Sequence, residues 1–292
     1  VTPVARVGDA SAGFGKKVRA VMTAGTARTA AALVAVLGAS AAGIGLAAAA
    51  DLVPHEAFYT LQLNRTSPGS TLSDVKGAMY IDWVESCEGW SSSQRLQLRF
   101  YDSAKAAVEV DSRFASWESR DGLSYRFSVE STHDKTPDKQ LNGKATLQGQ
   151  GLAGQAEFIG RDPMKMELPA GTVFPVRHMI DLIDRAVAGD KIVSRTVFDG
   201  TSDEGPFEVN AVIGPLKKAV ANDPIVPKAV NQAYRPMRLA FFKLGSDEMT
   251  PFYELSVNLM DNGIARSLLL DYGDSVIGAK LERIEILEKP KC

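Results

Sequence analysis

The sequence predicts a mainly β protein: about fourteen strands in one large antiparallel sheet that curls or closes, with one or two helices packed on it. Three observations predict it. Apolar and polar residues alternate along most of the chain after residue 55, turn signals separate the alternating runs at short spacing, and only one segment clearly keeps helical period.

Period two is the mark of a strand with one buried face. Candidate strands fall near 57–63 and 75–84, then at Leu96, Leu98 and Phe100, which alternate with Gln97 and Arg99, then near 106–117. Leu123, Tyr125, Phe127 and Val129 share one face, with Ser124, Arg126 and Ser128 on the other. Further candidates lie near 144–148, 153–159, 163–168 and 191–198. The pattern returns in Phe207, Val209, Ala211 and Ile213, near 236–244, in Tyr253, Leu255, Val257 and Leu259, and near 264–271 and 276–287. Asp261-Asn262-Gly263 suits a tight hairpin between 253–260 and 264–271, because Asn and Gly accept positive φ. Asp121-Gly122, Asn142-Gly143 and Asp199-Gly200 are read as further turns.

From Pro175 to Ala188, Val176, Met179, Ile180, Ile183 and Val187 recur at three- and four-residue steps. Proline suits the first turn of a helix and Gly189 its stop. Arg177, Asp181, Asp184 and Arg185 fill the opposite face, so the apolar stripe is expected against the sheet. Residues 215–232 form a weaker helix or a loop, interrupted by Pro224 and Pro227.

The front of the chain reads as an export signal. Residues 29–50 are uncharged and rich in Ala, with Arg28 before them and Ala48-x-Ala50 closing them. A basic residue, an apolar core and an Ala-x-Ala end make a secretory signal peptide, expected to be cut between Ala50 and Asp51. The run is long enough to span a bilayer, but its weakly apolar composition and its cleavage pattern favour removal over an anchor. The chain is thus expected to divide into an N-terminal extension with signal peptide at 1–50 and a single periplasmic domain at 51–292. No stable membrane span is expected after cleavage.

The chain carries 33 basic and 35 acidic side chains. Residues 1–50 hold five of the former and one of the latter, so 51–292 carry 28 and 34, a net charge near −6. Nucleic-acid binding needs a basic stripe, and none is visible. Cys87 and Cys292 are the two cysteines; in an exported protein they favour one disulfide over two free thiols.

The motifs of known chemistry lack their context. Gly149-Gln150-Gly151-Leu152-Ala153-Gly154 fits G-x-G-x-x-G, but a strand-like stretch follows where a helix is needed. Ser73 and Lys76 fit S-x-x-K on an extended segment rather than a helix. His55 and His133 are expected to face solvent, and His178 to be packed or partly exposed on the helix; none has metal-ligand spacing. A hydrolase triad assembled across the fold leaves no elbow motif here. The acids of Asp199-Gly200-Thr201-Ser202-Asp203-Glu204 lack calcium-loop order. Trp83, Trp90 and Trp117 are read as sheet packing, with an apolar groove as the alternative. No catalytic, metal or cofactor site is expected.

Asp82-Trp83-Val84-Glu85-Ser86-Cys87-Glu88-Gly89-Trp90, the helix entry Leu168-Pro169-Ala170-Gly171-Thr172-Val173-Phe174-Pro175 with His178, the export signal and a last strand ending near Cys292 together resemble the EipB family of cell-envelope integrity proteins of alphaproteobacteria. The resemblance covers 51–292. It implies a periplasmic β-spiral, one disulfide carried over to Cys87 and Cys292, and no established enzymatic activity. It also implies a role in envelope maintenance with a periplasmic protein partner of tetratricopeptide-repeat type; the concave apolar face of a curved sheet would offer an apolar envelope ligand a site as the alternative. Rival readings are a carrier of lipid or lipoprotein and a hydrolase with a hidden triad.

Met22 opens a segment of ordinary signal length, whereas residues 1–21 fit no signal pattern. Translation is expected to start at Met22. Mass spectrometry of the unprocessed precursor checks this, and a peptide from residues 1–15 would overturn it.

Overall fold

The computed structural model describes residues 50–160 and 163–292. Residues 1–49, with Met22 and all of the apolar run but Ala50, lie outside these residues. Among the described residues are fifteen strands and one α-helix. The chain runs β1 (His55–Thr66), β2 (Leu72–Glu85), β3 (Gly89–Asp102), β4 (Val108–Ser119), β5 (Ser124–His133), β6 (Thr136–Leu147), β7 (Gly154–Ile159) and β8 (Met164–Leu168). It continues through β9 (Thr172–Val173), α1 (Pro175–Ala188), β10 (Ile192–Val197), β11 (Phe207–Ile213), β12 (Tyr234–Lys243), β13 (Tyr253–Met260), β14 (Ala265–Asp271) and β15 (Ser275–Ile286).

All fifteen strands join one sheet in the order β8-β7-β6-β5-β4-β3-β2-β1-β15-β14-β13-β12-β11-β10-β9. Two meanders meet where β1 pairs antiparallel with β15. Among the described residues the only parallel pair is β9 with β10. The two edge strands, β8 and β9, are joined by just Pro169, Ala170 and Gly171. A chain advances at most about 3.5 Å per residue, so the first and last strands of the order must come round to each other. The sheet is therefore barrel-like and nearly closed.

Aromatic rings fill the seam. From β5 and β7 come Tyr125, Phe127 and Phe158; from beside β9 and β10 come Phe174 and Phe198, each at most 1% exposed. Tyr125 stacks on Phe174 with centroids 5.0 Å apart, and Phe127 meets Phe198 edge-on at 5.6 Å and Phe158 at 5.2 Å. Tyr125 Oη donates to the Asp199 carbonyl at 2.9 Å. Inward residues of the other strands form the remaining core, including Tyr59, Leu61, Val75 and Met79 beside Ile277, Ala279 and Leu281.

Asn142-Gly143 is not a turn. It lies inside β6, where Gly143 pairs with Phe127 and Phe158. The turn is Asp134-Lys135, with φ of 48° and 64°, the left-handed pair a two-residue type I′ hairpin requires. It passed unread because neither residue is glycine. Glycine at 143 serves packing instead: a Cβ there would run into the Phe127 ring and the Glu157 carbonyl, and one at Gly200 would strike the same ring. Phe127 is held between two glycines.

The helix begins on Pro175 and ends on Gly189 at φ 102°, as the sequence implies. Its buried residues are Val176, His178, Leu182, Ile183 and Ala186, while Val187 is 56% exposed. The buried face is thus turned from the expected stripe, because the helix packs between Leu52, Trp90 and strands β10–β13 rather than on one flat surface. Residues 215–232 contain no helix. Asp223 Oδ1 accepts from the backbone N–H groups of Ile225 and Val226, a turn that, with two prolines, fixes a loop and buries Val226. Among the described residues one helix is present, within the one or two expected.

Gly143→Ala and Gly200→Ala are each expected to cost about 1–3 kcal/mol, the usual penalty for overpacking. Thermal melting checks this; an unchanged melting temperature for both would remove the seam from the account of stability.

Candidate functional site

Cys87 occupies the β2–β3 turn. That turn is built by Ser86 N–H donating to Gly89 O at 2.8 Å and by Arg120, which donates to the carbonyls of Cys87 at 3.1 Å and Ser86 at 2.8 Å. Cys87 and Cys292 form a disulfide with Cα atoms 5.6 Å apart, across 205 residues of sequence. Both cysteines are exposed. The bridge anchors the strandless tail after β15, which is otherwise held by Leu287 N–H on Pro54 O at 2.9 Å and by an ion pair of Lys289 with Asp51. Ala50 and Asp51 lie at the same end of the sheet. Ala50 N–H donates to Asp184 Oδ1 at 2.7 Å, and both residues line a cleft of about 350 Å³ with Val187, Val230 and Asn262.

The sequence reading missed Glu118. It sits on β4, 2% exposed, facing inward opposite Trp90 and Tyr125. Its Oε2 accepts from Val176 N–H at 2.7 Å and its Oε1 from Arg177 N–H at 2.8 Å. These are orphan donors of the first turn of α1, and Phe174, the N-cap residue, has no side-chain oxygen to satisfy them. A strand 58 residues away supplies the cap. Burial pushes the Glu118 pKa up to about 7, against the two amide donors and Arg177, which pull it down. No local signal marks such a cap.

Of the histidines, His55 contradicts its solvent-facing expectation. It is 5% exposed at the inward start of β1, with Nδ1 2.7 Å from the Val53 carbonyl. The reason is register: His55 shares the inward parity of Ala57, Tyr59 and Leu61. His133 ends β5 half-buried instead of lying in a polar loop. His178 is buried on α1 with Nε2 lacking a hydrogen-bond partner among the described residues. Burial lowers its pKa to about 4, with Asp181 opposing and Arg195 reinforcing that shift. Arg195, inward on β10, donates to Asp181 at 2.6 Å, so the helix is tied to the sheet at both its cap and its middle.

The remaining candidates stay apart. Among the described residues, no histidine hydrogen-bonds to a hydroxyl, and no group of three or more His, Cys, Asp or Glu is placed to hold a metal ion. Ser73 donates to Tyr101 O while Lys76 pairs with Asp74; the two positions have opposite parity on β2. β7 begins on Gly154, the last glycine of the 149–154 motif, with no helix there to hold a pyrophosphate. Asp199 is occupied by the N–H and hydroxyl of Thr201. Trp83 meets Trp90 edge-on at 6.2 Å, and Trp117 lies under the Arg126 guanidinium.

A sheet curled on itself, with a capped helix packed against its inward side chains and its tail pinned by a disulfide, defines a β-barrel-like scaffold. The chain belongs to the EipB-like family, whose model matches residues 46–288. It is 31% identical over 257 residues to the cell envelope integrity protein EipB of Brucella abortus (strain 2308), covering 84% of this chain and 88% of that one. A crystal structure of a β-barrel-like protein of a domain of unknown function, also from Brucella abortus, aligns with a TM-score of 0.76 at 30% identity, over 82% of this chain and all of that one. Among the described residues no helix is long and apolar enough to cross a membrane.

Two outcomes follow from this chemistry. Cys292→Ser is expected to lower stability by up to about 5 kcal/mol, the chain-entropy value for a closed loop of this length; chemical denaturation of the variant against the oxidised parent measures it, and equal midpoints would refute it. Glu118 and His178 should tilt stability in opposite directions with pH. Between pH 4.5 and 7 folded Glu118 holds a proton that the unfolded chain releases, so its share of stability falls as pH rises. Between pH 4 and 6.5 the unfolded chain protonates His178 and the folded chain does not, so that share rises with pH. Relative to the parent, Glu118→Gln should lose its cap strength, about 1–3 kcal/mol, and gain a positive slope, while His178→Leu should gain a negative one. Parallel curves for parent and both variants would dismiss the assignment.

Proposed function

We propose that this protein is an exported, non-enzymatic support of cell-envelope integrity, cut between Ala50 and Asp51 and folded in the periplasm as one oxidised domain spanning 51–292. The observation that carries the reading is the identity shared with the Brucella envelope-integrity protein along nearly the whole domain. The Cys87–Cys292 bridge supports export, because solvent-exposed disulfides persist in oxidising compartments. The inner face of the sheet carries the core side chains and, against β10–β13, α1. That filling favours a scaffold that engages a partner or envelope component from outside over a carrier enclosing its cargo. A tetratricopeptide-repeat protein of the periplasm is the partner the family resemblance implies.

Deletion of the gene is expected to sensitise cells to detergent and cell-wall stress. The parent should restore resistance, as should a variant with Ser73, His133 and His178 all replaced, since no side-chain chemistry is required. Deletion cells as resistant as the parent, or failure of that variant despite normal folding and abundance, would defeat the reading.

A further inference from the structure

Most of the outward face of the sheet is polar and laced with ion pairs, such as Arg95 with Asp111 and Lys144 with Glu157. One corner differs. Ile192 of β10 pairs directly with Val212 of β11, and both point away from buried Val193, Ala211 and Ile213. They are 72% and 57% exposed. The chain leaving β11 adds Leu216 at 54% and Val220 at 38%. This stretch is fixed rather than loose: Ile213 N–H donates to Lys191 O, Gly214 N–H to Pro236 O and Lys217 N–H to Tyr234 O, all at 2.8 Å.

The same corner carries Lys191, Lys217 and Lys218, all exposed, and none makes an ion pair among the described residues. Neighbouring acids are already engaged: Asp190 with Arg185, Glu254 with Arg238, Asp223 with Arg266. Three free cations beside four exposed aliphatic side chains stand out on a domain whose net charge is near −6. None of these residues lines the cleft at Ala50 and Asp51; they stand on the outward side of β10, β11 and the chain that follows.

We propose that this corner docks on an anionic lipid bilayer, with the lysines at phosphate level and the aliphatic side chains dipping into the interface. Apolar contact and attraction to anionic headgroups are the two components of interfacial binding. The proposal deepens the envelope-binding reading by naming the component.

Flotation of the oxidised protein with vesicles of phosphatidylglycerol and phosphatidylethanolamine, against phosphatidylcholine alone, tests it. The parent should float with the anionic vesicles, less so as salt rises, and not with the neutral ones. Lys191→Glu, Lys217→Glu and Lys218→Glu combined should weaken binding at least about tenfold, since each lysine near such a surface contributes roughly fivefold. Ile192→Ser with Leu216→Ser should weaken it as well. Lys76→Glu, Lys144→Glu and Lys165→Glu combined change net charge equally, elsewhere on the sheet, and should matter less than twofold. Circular dichroism and melting confirm that each variant folds. Absence of the parent from anionic vesicles, or equal losses from the two triple variants, would overturn the proposal. Floating protein whose gene deletion leaves the envelope sound would sustain it and sink the wider functional reading.

Discussion

The closure of the sheet depends on five aromatic rings. Tyr125, Phe127 and Phe158 arrive from one end of the strand order, Phe174 and Phe198 from the other. Each such pair adds about 0.5–1.5 kcal/mol beyond the area it buries. Backbone hydrogen bonds cannot do this work, because β8 and β9 are not paired with each other. Side chains therefore supply what the sheet ladder leaves out, and two glycines make room for the central ring. The two edge strands are short, five residues in β8 and two in β9, which limits the edge left open to other chains.

The seam also sets where α1 starts. Phe174 is stacked on Tyr125, so Pro175 begins the helix directly beside β4, where the Glu118 carboxylate waits for its first amide hydrogens. The helix then lies against the core side chains of β10–β13 and is tied to β10 through Asp181 and Arg195. Seam, cap and helix are linked through Phe174, Glu118 and Arg195, while the disulfide and the Lys289–Asp51 pair hold the tail after β15. The inner face is thereby committed to stability. The outer face is mostly polar and ion-paired, with exposed aliphatic side chains at the corner around Ile192 and Val212 among other places.

All fourteen strands read from alternation exist, and the hairpin at Asp261-Asn262-Gly263 joins the two strands expected. Alternation is a local record of burial, so it survives in sequence. β9 escaped because two residues carry no period, and β6 begins earlier than its apolar half suggests because its first residues face solvent. The helix was legible in its start and stop but not in its rotation, which the surrounding strands impose.

By itself the sequence determined the strand content, the helix limits and, with the family resemblance, the partnership of Cys87 with Cys292. Those are properties of short windows and of a count of two thiols. Only the tertiary structure decided that Gly143 packs instead of turning, that His55 is buried, that Glu118 caps a helix 58 residues away and that unpaired lysines gather beside exposed aliphatics. Each of these depends on which strands lie side by side, and strand order in a curled sheet is fixed by closure of the whole rather than by any segment of the chain.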